Sequence, residues 1–241
     1  MEIGEFTVNS IVTGNALELI ERIPDNSVDI LLTDPPYFLP AQAYIGTRKK
    51  GYKRTLADTS ILSHYFQSFF EQIDRVLKPT STSYIFCDAK SYPIFYIAMF
   101  PIYKHIRLLI WDKMTSYNGH TWRHQHELIA WGEREETPRI PTGDGDVLRC
   151  RGVQQINRVH GAEKPVDLLI ELLQKHGENN VVLDTFCGSG TSAEAAKRTG
   201  NYFIGFELDQ TSANHARERI LRSERVFQPQ QCSLFSNQIR Q

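Results

Sequence analysis

The sequence predicts an α/β fold in which a mostly parallel sheet carries helices on both faces. Three observations support this. Strand and helix patterns alternate along the 241 residues, the segment 28–33 is apolar almost throughout, and a glycine-rich turn at 187–191 joins an apolar strand to a helix. Strands covered on both faces lose polar alternation, and alternating strands and helices are typical of parallel sheets. The length suits one such domain and is too short for two.

The first half of the chain is expected to supply most of the sheet. Asn15 suits the N-cap of the first helix and Pro24 its end. Apolar residues at helical spacing continue to Leu77, where Lys78-Pro79 is expected to close the second helix of a β-α-β crossover. The predicted elements are strands at 11–13, 28–33, 84–87, 106–111 and 127–131, and helices at 16–23 and 61–77.

The second half continues the alternation. Pro165 suits a first helical turn and Gly177 a helix end. The predicted elements are helices at 166–176 and 192–198, and strands at 181–183 and 202–206. One domain is expected over 1–222, with target-recognition insertions near 38–58, 113–125 and 132–158, and a flexible polar tail over 223–241.

Composition limits the class of protein. The formal net charge of −1 gives no bulk argument for a nucleic-acid partner, so such a partner would need a local basic surface. Four cysteines without paired spacing, an acidic start and an apolar stretch at 94–102 that is too short for a membrane span predict a soluble cytoplasmic protein. One basic cluster exists, and its alternative is an ordinary solvated loop: Arg48, Lys49, Lys50, Lys53 and Arg54.

The motif Asp34-Pro35-Pro36-Tyr37 directly follows the strand at 28–33. The Asp34 carboxylate and the Pro35 carbonyl can accept the two hydrogens of an amine, and the prolines fix φ and donate no competing hydrogen bonds. Tyr37 offers a ring on which a base can stack. In isolation the motif could equally be a turn, so its position after a buried strand decides the interpretation.

The second motif is Asp184-Thr185-Phe186-Cys187-Gly188-Ser189-Gly190-Thr191. Its glycines allow a tight turn and close approach of a ligand, but it lacks the Lys-Ser/Thr ending of a P-loop and the third glycine of the dinucleotide fingerprint. The strand at 202–206 ends in Glu207. A carboxylate there can accept both hydroxyls of a ribose; the alternative is a solvated strand end.

Together these motifs, in this order, resemble the permuted beta class of S-adenosylmethionine-dependent DNA amino-methyltransferases. The resemblance implies a Rossmann-like methyltransferase fold with circularly permuted motif order. It implies catalytic roles for Asp34, Pro35, Pro36 and Tyr37. It implies S-adenosylmethionine as cofactor, with contacts from Asn15, Asp34, Lys164, Asp184, Phe186, Cys187, Gly188, Gly190, Thr191, Glu207 and Leu208.

By this resemblance, Asp184 and Phe186 would line the methionine half of the donor, and Glu207 and Leu208 would hold the ribose and adenine. Lys164 would help to hold the donor's carboxylate; the alternative is a surface lysine at the start of a helix. Two departures stand out. His160-Gly161 replaces the more usual His-Pro, and Asn15 stands where relatives carry Asp. The Asn15 amide oxygen can still accept a hydrogen bond, so the resemblance implies weakened or retuned donor binding.

The expected function is site-specific DNA adenine N6-methylation, with S-adenosylhomocysteine as product and a role of the restriction-modification type. The target base in duplex DNA would be flipped out, and Lys49, Lys50, Lys53 and Arg54 would contact the DNA. By the same resemblance, an aspartate in first place of the tetrapeptide favours adenine, because cytosine-specific relatives more often begin with serine. The alternatives are cytosine N4 methylation, an RNA or protein methyltransferase, and an inactive DNA-binding relative.

Three further features bear on partners. His120, His124 and His126 lack a cysteine or carboxylate that completes a metal ligand set, so no metal is expected. Trp111-Asp112-Lys113 resembles a family strand end beside the target base, or is a core tryptophan with solvated neighbours. Gln231, Leu234 and Phe235 resemble a sliding-clamp docking peptide, or pin the terminus onto the core. A homodimer is a further option.

Overall fold

The structure is a computed structural model that describes residues 1–36, 56–115, 121–138, 143–152 and 163–224, with only the backbone of 56–64 described. These ranges hold ten strands and six helices. The strands are β1 Glu2–Ile3, β2 Phe6–Thr7, β3 Ser10–Thr13, β4 Val28–Thr33, β5 Leu77–Cys87, β6 His105–Asp112, β7 His126–Glu133, β8 Val147–Arg149, β9 Val181–Asp184 and β10 Tyr202–Glu207. The helices are α1 Ala16–Ile20, α2 Leu56–Val76, α3 Tyr92–Met99, α4 Val166–Gln174, α5 Thr191–Arg198 and α6 Gln210–Arg222.

Eight strands form one sheet in the order β3-β10-β9-β4-β5-β7-β6-β8. Neighbours are parallel from β3 to β5, β7 is antiparallel to both β5 and β6, and β8 is parallel to β6. The short strands β1 and β2 pair with each other outside this sheet. The mostly parallel sheet that the sequence predicts is therefore confirmed.

Helices cover both faces of the sheet. Side chains of α1, α2 and α3 share one buried cluster with Leu31 of β4, whereas those of α4, α5 and α6 share the other with Ile30 and Leu32. The first cluster contains T-shaped aromatic pairs, such as Phe66 with Phe95 at 4.7 Å between ring centroids. Because each face buries large apolar side chains, at roughly 1.5–3 kcal/mol each, the central strand β4 is apolar almost throughout, as expected.

The second helix ends at Val76, one residue before its predicted end, but the strand that follows begins much earlier than the predicted 84–87. Lys78 and Pro79 lie inside β5, which begins at Leu77 directly after α2. The pairing of β4 with β5 shifts register, from Val28 opposite Leu77 to Ile30 opposite Thr82. A bulge of this kind accommodates a proline, which cannot donate to the ladder. α2 also begins at Leu56, inside the predicted insertion 38–58, and α1 ends at Ile20.

Three elements of the sheet and its layers were missed by the sequence patterns. α3 lies in the apolar stretch near 94–102, α6 follows the last strand, and β8 lies inside the predicted insertion 132–158. Asp209 caps the start of α6, because its carboxylate accepts a hydrogen bond from Ser212 N at 2.8 Å. In the portion of the chain described, none of the helices combines the length and the apolar character that crossing a membrane requires.

Candidate active site

The predicted donor residues lie together at the carboxyl ends of adjacent parallel strands. Thr13 at the end of β3 pairs with Glu207 of β10, and Gly205 of β10 pairs with Asp184 at the end of β9. The next strand is β4, which ends one residue before Asp34. Ligands of open α/β sheets bind at this edge, so the fold brings the donor and acceptor motifs side by side.

Asp184 organises the turn that follows β9. Its Oδ1 accepts hydrogen bonds from Thr33 Oγ1 at 2.8 Å and from Phe186 N at 3.0 Å, and its Oδ2 accepts one from Ser192 Oγ. Burial raises the pKa of Asp184 to about 6, although these hydrogen bonds oppose the rise. These hydrogen bonds fix the shape of the turn and connect β9 to β4 and α5.

The two glycines of the turn adopt left-handed backbone, with φ of +50° at Gly188 and +81° at Gly190. A Cβ at Gly190 would stand 2.8 Å from the Cβ of Ala216 in α6, whereas a Cβ at Gly188 would meet no heavy atom within 4 Å. Residues other than glycine rarely adopt this backbone conformation. Gly190 therefore permits close helix packing, and Gly188 leaves open space beside the turn.

Glu207 connects the last strand to this turn. Its Oε2 accepts a hydrogen bond from Gly188 N at 2.8 Å, and its Oε1 accepts one from Asp209 N at 2.9 Å. Each oxygen retains a further lone pair. The neighbouring Leu208 is 75% exposed, so a carboxylate and an apolar side chain stand together at the mouth of the turn.

Asn15 lies close to Glu207 through its neighbour Gly14, whose amide donates to Glu207 O at 2.9 Å. Its side chain caps α1: Oδ1 accepts from Leu17 N at 3.1 Å, and Nδ2 donates to Glu18 Oε1 at 3.3 Å. The predicted cap is confirmed. The amide oxygen is used by the helix and keeps one lone pair for a ligand.

Asp34 belongs to a chain of four alternating charges. Lys164 Nζ lies 2.5 Å from Asp34 Oδ2 and 3.1 Å from Glu127 Oε2, and Lys113 Nζ lies 2.5 Å from Glu127 Oε1. The side chain of Lys164 is only 9% exposed, so the alternative of a surface lysine is wrong. Its ammonium also lies 5.0 Å from the centre of the Phe86 ring.

The buried charges shift one another's pKa values. Burial raises the pKa of Asp34 above its usual value, and the attraction of Lys164 opposes this rise. Burial alone would raise the pKa of Glu127, but Lys164 and Lys113 outweigh it and hold that pKa below its usual value. Burial alone would lower the pKa of Lys164, yet Asp34 and Glu127 raise it. Mutual pairing therefore favours the charged forms of Glu127 and Lys164.

Other predicted residues lie around the same turn. Pro35 is buried and Pro36 partly buried, and the Phe186 ring packs 5.8 Å from that of Phe69. Cys187 is buried and Thr191 accepts from Arg219 Nη1 at 3.1 Å. The following predicted residues lie outside the described ranges: Tyr37, Lys49, Lys50, Lys53, Arg54, Gln231, Leu234 and Phe235.

Sequence reasoning missed Glu127 and the role of Lys113. The antiparallel register of β6 and β7 places Trp111 opposite Glu127, which brings Lys113 within reach of that carboxylate. Trp111 itself is buried and donates to Cys150 O at 2.7 Å, as a core tryptophan does. In the ranges that the structure describes, no three His, Cys, Asp or Glu side chains are grouped to hold a metal ion.

Comparison with known proteins agrees with this geometry. A model of the DNA methylase family matches residues 28–218. The type II methyltransferase M.HinfI of Haemophilus influenzae is 24% identical over 246 residues, covering 88% of this chain and 68% of the relative. The type II methyltransferase M.BglII of Bacillus subtilis is 27% identical over 254 residues, covering 84% and 66%. The chain thus spans about two thirds of the length of these curated relatives.

Solved structures share the fold. The PvuII DNA methyltransferase, described as cytosine-N4-specific, aligns with a TM-score of 0.72 at 17% identity, covering 90% of each chain. A DNA modification methylase from Thermus thermophilus aligns with 0.70 at 21% identity, covering 89% of this chain and 95% of its own. M1.HpyAVI, solved as a complex with SAM, aligns with 0.68 at 18% identity, covering 88% and 98%.

A sheet of this topology with a glycine turn and an acidic strand end at one edge defines an S-adenosylmethionine-dependent methyltransferase fold. Because the family model spans most of its length, the chain belongs to the DNA methylase family of N6 and N4 methyltransferases. This confirms the fold class and the family that the sequence predicts. The T. thermophilus methylase is also known as a complex with S-adenosyl-L-methionine, in agreement with the predicted cofactor.

Proposed function

We propose that this chain transfers a methyl group from S-adenosylmethionine to the exocyclic N6 amine of adenine in duplex DNA. The observation that carries the proposal is the position of Asp34, whose side chain is 26% exposed at the end of β4, beside the glycine turn after β9. A carboxylate for the acceptor and a turn for the donor on neighbouring strands would hold the two reacting groups together. Such alignment supplies much of the rate of a displacement reaction.

The turn after β9 fits the proposed cofactor. Open space beside Gly188 admits a ligand close to the backbone. The Glu207 carboxylate retains lone pairs for ribose hydroxyls, and exposed Leu208 offers an apolar surface to an adenine ring. Phe186 would border the methionine half, while Asp184 would act through the turn that its hydrogen bonds shape. When bound, the cofactor supplies an electrophilic methyl group on a positively charged sulfur.

The acceptor side explains how a poor nucleophile could react. The lone pair of an adenine amine is delocalised into the ring, and two hydrogen-bond acceptors draw the nitrogen toward a tetrahedral shape. Asp34 would accept one amine hydrogen and the carbonyl of buried Pro35 the other. Asp34 must be ionised for this task, and the ammonium of Lys164 at 2.5 Å favours the ionised form. The sequence adds Tyr37 as a stacking surface for the base.

The proposal extends to the DNA. A base within a duplex cannot reach Asp34, so the target would be flipped out of the stack. Because the net charge is −1, the contact with DNA phosphates would need a local basic surface. That surface would be formed by Lys49, Lys50, Lys53 and Arg54. A single domain over 1–222 and a cytoplasmic location belong to the same proposal.

Labelling of DNA tests the proposed function. The purified chain is incubated with duplex DNA of mixed sequence and methyl-labelled S-adenosylmethionine, and the DNA is hydrolysed to nucleosides. We expect label in N6-methyladenine, and a loss of about a hundredfold or more for Asp34→Ala, because an essential charged acceptor is removed. Label in N4-methylcytosine would establish the cytosine alternative. Label in neither base, from a chain that still binds the donor, would support the inactive relative.

A further inference from the structure

The chain of four charges brings together residues from four separate segments. Asp34 follows β4, Lys164 precedes α4, Glu127 lies near the start of β7, and Lys113 follows β6. The exposed fractions of these side chains are small, between 9% for Lys164 and 26% for Asp34 and Glu127. Ion pairs that are this well shielded are costly to break, because the remaining charge has lost most of its water. The arrangement therefore constrains each member strongly.

Lys164 is the central member of the chain. Its ammonium stands between two carboxylates, 2.5 Å from Asp34 Oδ2 and 3.1 Å from Glu127 Oε2. A lysine side chain is long and flexible, so a single carboxylate fixes its ammonium less firmly than two on different strands. Glu127 is itself fixed on its other oxygen by Lys113 at 2.5 Å. The direction of the Asp34 carboxylate thus depends on residues that lie beyond Lys164.

Charge sharing has a second consequence. Two ammonium groups face two carboxylates, so the chain is balanced in charge. Because Lys164 is attracted to Glu127 as well as to Asp34, it neutralises the charge of Asp34 less completely. Asp34 can then accept a hydrogen bond more strongly. An Asp34 that paired with Lys164 alone would be a weaker acceptor for the amine of a base.

We propose that Glu127 is a positioning residue for methyl transfer, which holds Lys164 where its ammonium orients the Asp34 carboxylate. The inference rests on the role proposed above for Asp34. It assigns no contact between Glu127 and the substrate, and it assigns Lys113 the supporting task of holding Glu127. The predicted consequence is a loss of rate with little loss of DNA affinity.

The pH dependence of the rate distinguishes a positioning role of Glu127 from a merely structural one, which would leave it unchanged. The charged and titratable groups that act on Asp34 and Glu127 are Lys164, Lys113, Asp184 and Cys87. The negative charge of Glu127 raises the pKa of Asp34. Without that charge the pKa of Asp34 falls, so the Asp34 carboxylate would stay ionised to lower pH. The acidic limb of the rate profile should move in the same direction.

Glu127→Gln is the test variant, and Glu133→Gln at the opposite end of the same strand is its matched control. We expect kcat of Glu127→Gln to fall about tenfold to a hundredfold, since small misplacements of reacting groups cost up to about 10² in rate. KM for DNA should change less than about threefold, and the acidic limb of kcat should move to lower pH. Glu133→Gln should retain the wild-type rate and profile.

A second variant keeps the test valid if Glu127→Gln folds poorly, as judged from donor binding by calorimetry. Glu127→Asp keeps the charge and shortens the side chain, so its kcat should be intermediate and its acidic limb unchanged. A wild-type kcat and acidic limb in Glu127→Gln, or a wild-type kcat in Glu127→Asp when Glu127→Gln is unfolded, would overturn the inference. Asp34→Ala is measured in parallel: turnover by that variant would instead overturn the proposed function.

Discussion

The proposed site has a donor half, the turn after β9, and an acceptor half, Asp34 after β4, and these halves hold their carboxylates by different means. In the donor half, Asp184 accepts hydrogen bonds from neutral groups, the hydroxyls of Thr33 and Ser192 and the amide of Phe186. In the acceptor half, Asp34 is held by the ammonium of Lys164. Neutral hydrogen bonds preserve the shape of a turn, whereas ion pairs respond to any further charged group that enters. The donor half is therefore a scaffold, and the acceptor half is the chemically responsive part.

Asp184→Asn tests the donor half of this comparison, and its expected effect is the largest. The pKa of Asp184 is about 6 in the folded protein and about 4 in an unfolded chain. The folded state therefore binds the proton more tightly, and the contribution of Asp184 to stability falls as pH rises from about 4 to about 6. Asparagine does not titrate, so the free energy of unfolding of the variant relative to wild type should rise over this range, by up to about 3 kcal/mol.

Urea unfolding at a series of pH values measures this difference. The constant cost of replacing the carboxylate cancels, because only the change with pH is compared. A difference that stays flat between pH 4 and pH 7 would mean that the carboxyl is not held by neutral donors in a shielded turn.

Neutralising the basic cluster tests whether its lysines contact DNA on the acceptor side. Replacing Lys49, Lys50 and Lys53 together with Gln should weaken DNA binding and reduce the slope of log affinity against log salt by about 0.9 for each phosphate that is no longer neutralised. Fluorescence anisotropy over a salt series gives both quantities. Replacement of Lys90 and Lys104, which lie on other segments, is the control. An unchanged slope in the triple variant would favour the ordinary solvated loop.

Asn15→Asp tests the donor side with the smallest expected effect. A carboxylate can still cap α1, and it accepts a hydrogen bond from an adenine amine more strongly than an amide does. Donor binding should tighten by about threefold to tenfold, corresponding to roughly 1 kcal/mol. Glu18 accepts from Asn15 Nδ2 at 3.3 Å and would repel the new charge, so adding Glu18→Gln should increase the gain. Calorimetric affinities that remain equal would place Asn15 outside the donor site.

The donor half could be predicted from the sequence because it is local. Asp184, Gly188, Gly190 and Glu207 belong to one strand-turn-helix-strand segment, and the turn and the acidic strand end are visible in the order of residues. The strands of the parallel region could also be predicted from local sequence, and the structure confirms them. Their apolar composition follows from burial on both faces.

The acceptor half could be predicted only in part. Asp34 is marked by its motif, but Glu127 reaches it through Lys164 and depends on the antiparallel register of β6 and β7. Such pairings leave no signal along a single strand. The helices were missed for other reasons: α3 lies in an apolar stretch whose polar face is small, and α6 packs through small residues such as Ala213 and Ala216.

Donor binding and methyl transfer, measured together on Asp34→Ala and Glu207→Gln, test most directly whether the two halves have separate tasks. Calorimetry gives the affinity for S-adenosylmethionine, and labelled-methyl transfer at saturating donor gives the turnover. We expect Asp34→Ala to bind the donor within about threefold of wild type and lose turnover, and Glu207→Gln to bind it about tenfold more weakly while keeping most of its turnover. Equal loss of donor binding in both variants, or turnover by Asp34→Ala, would contradict the division of the site described above.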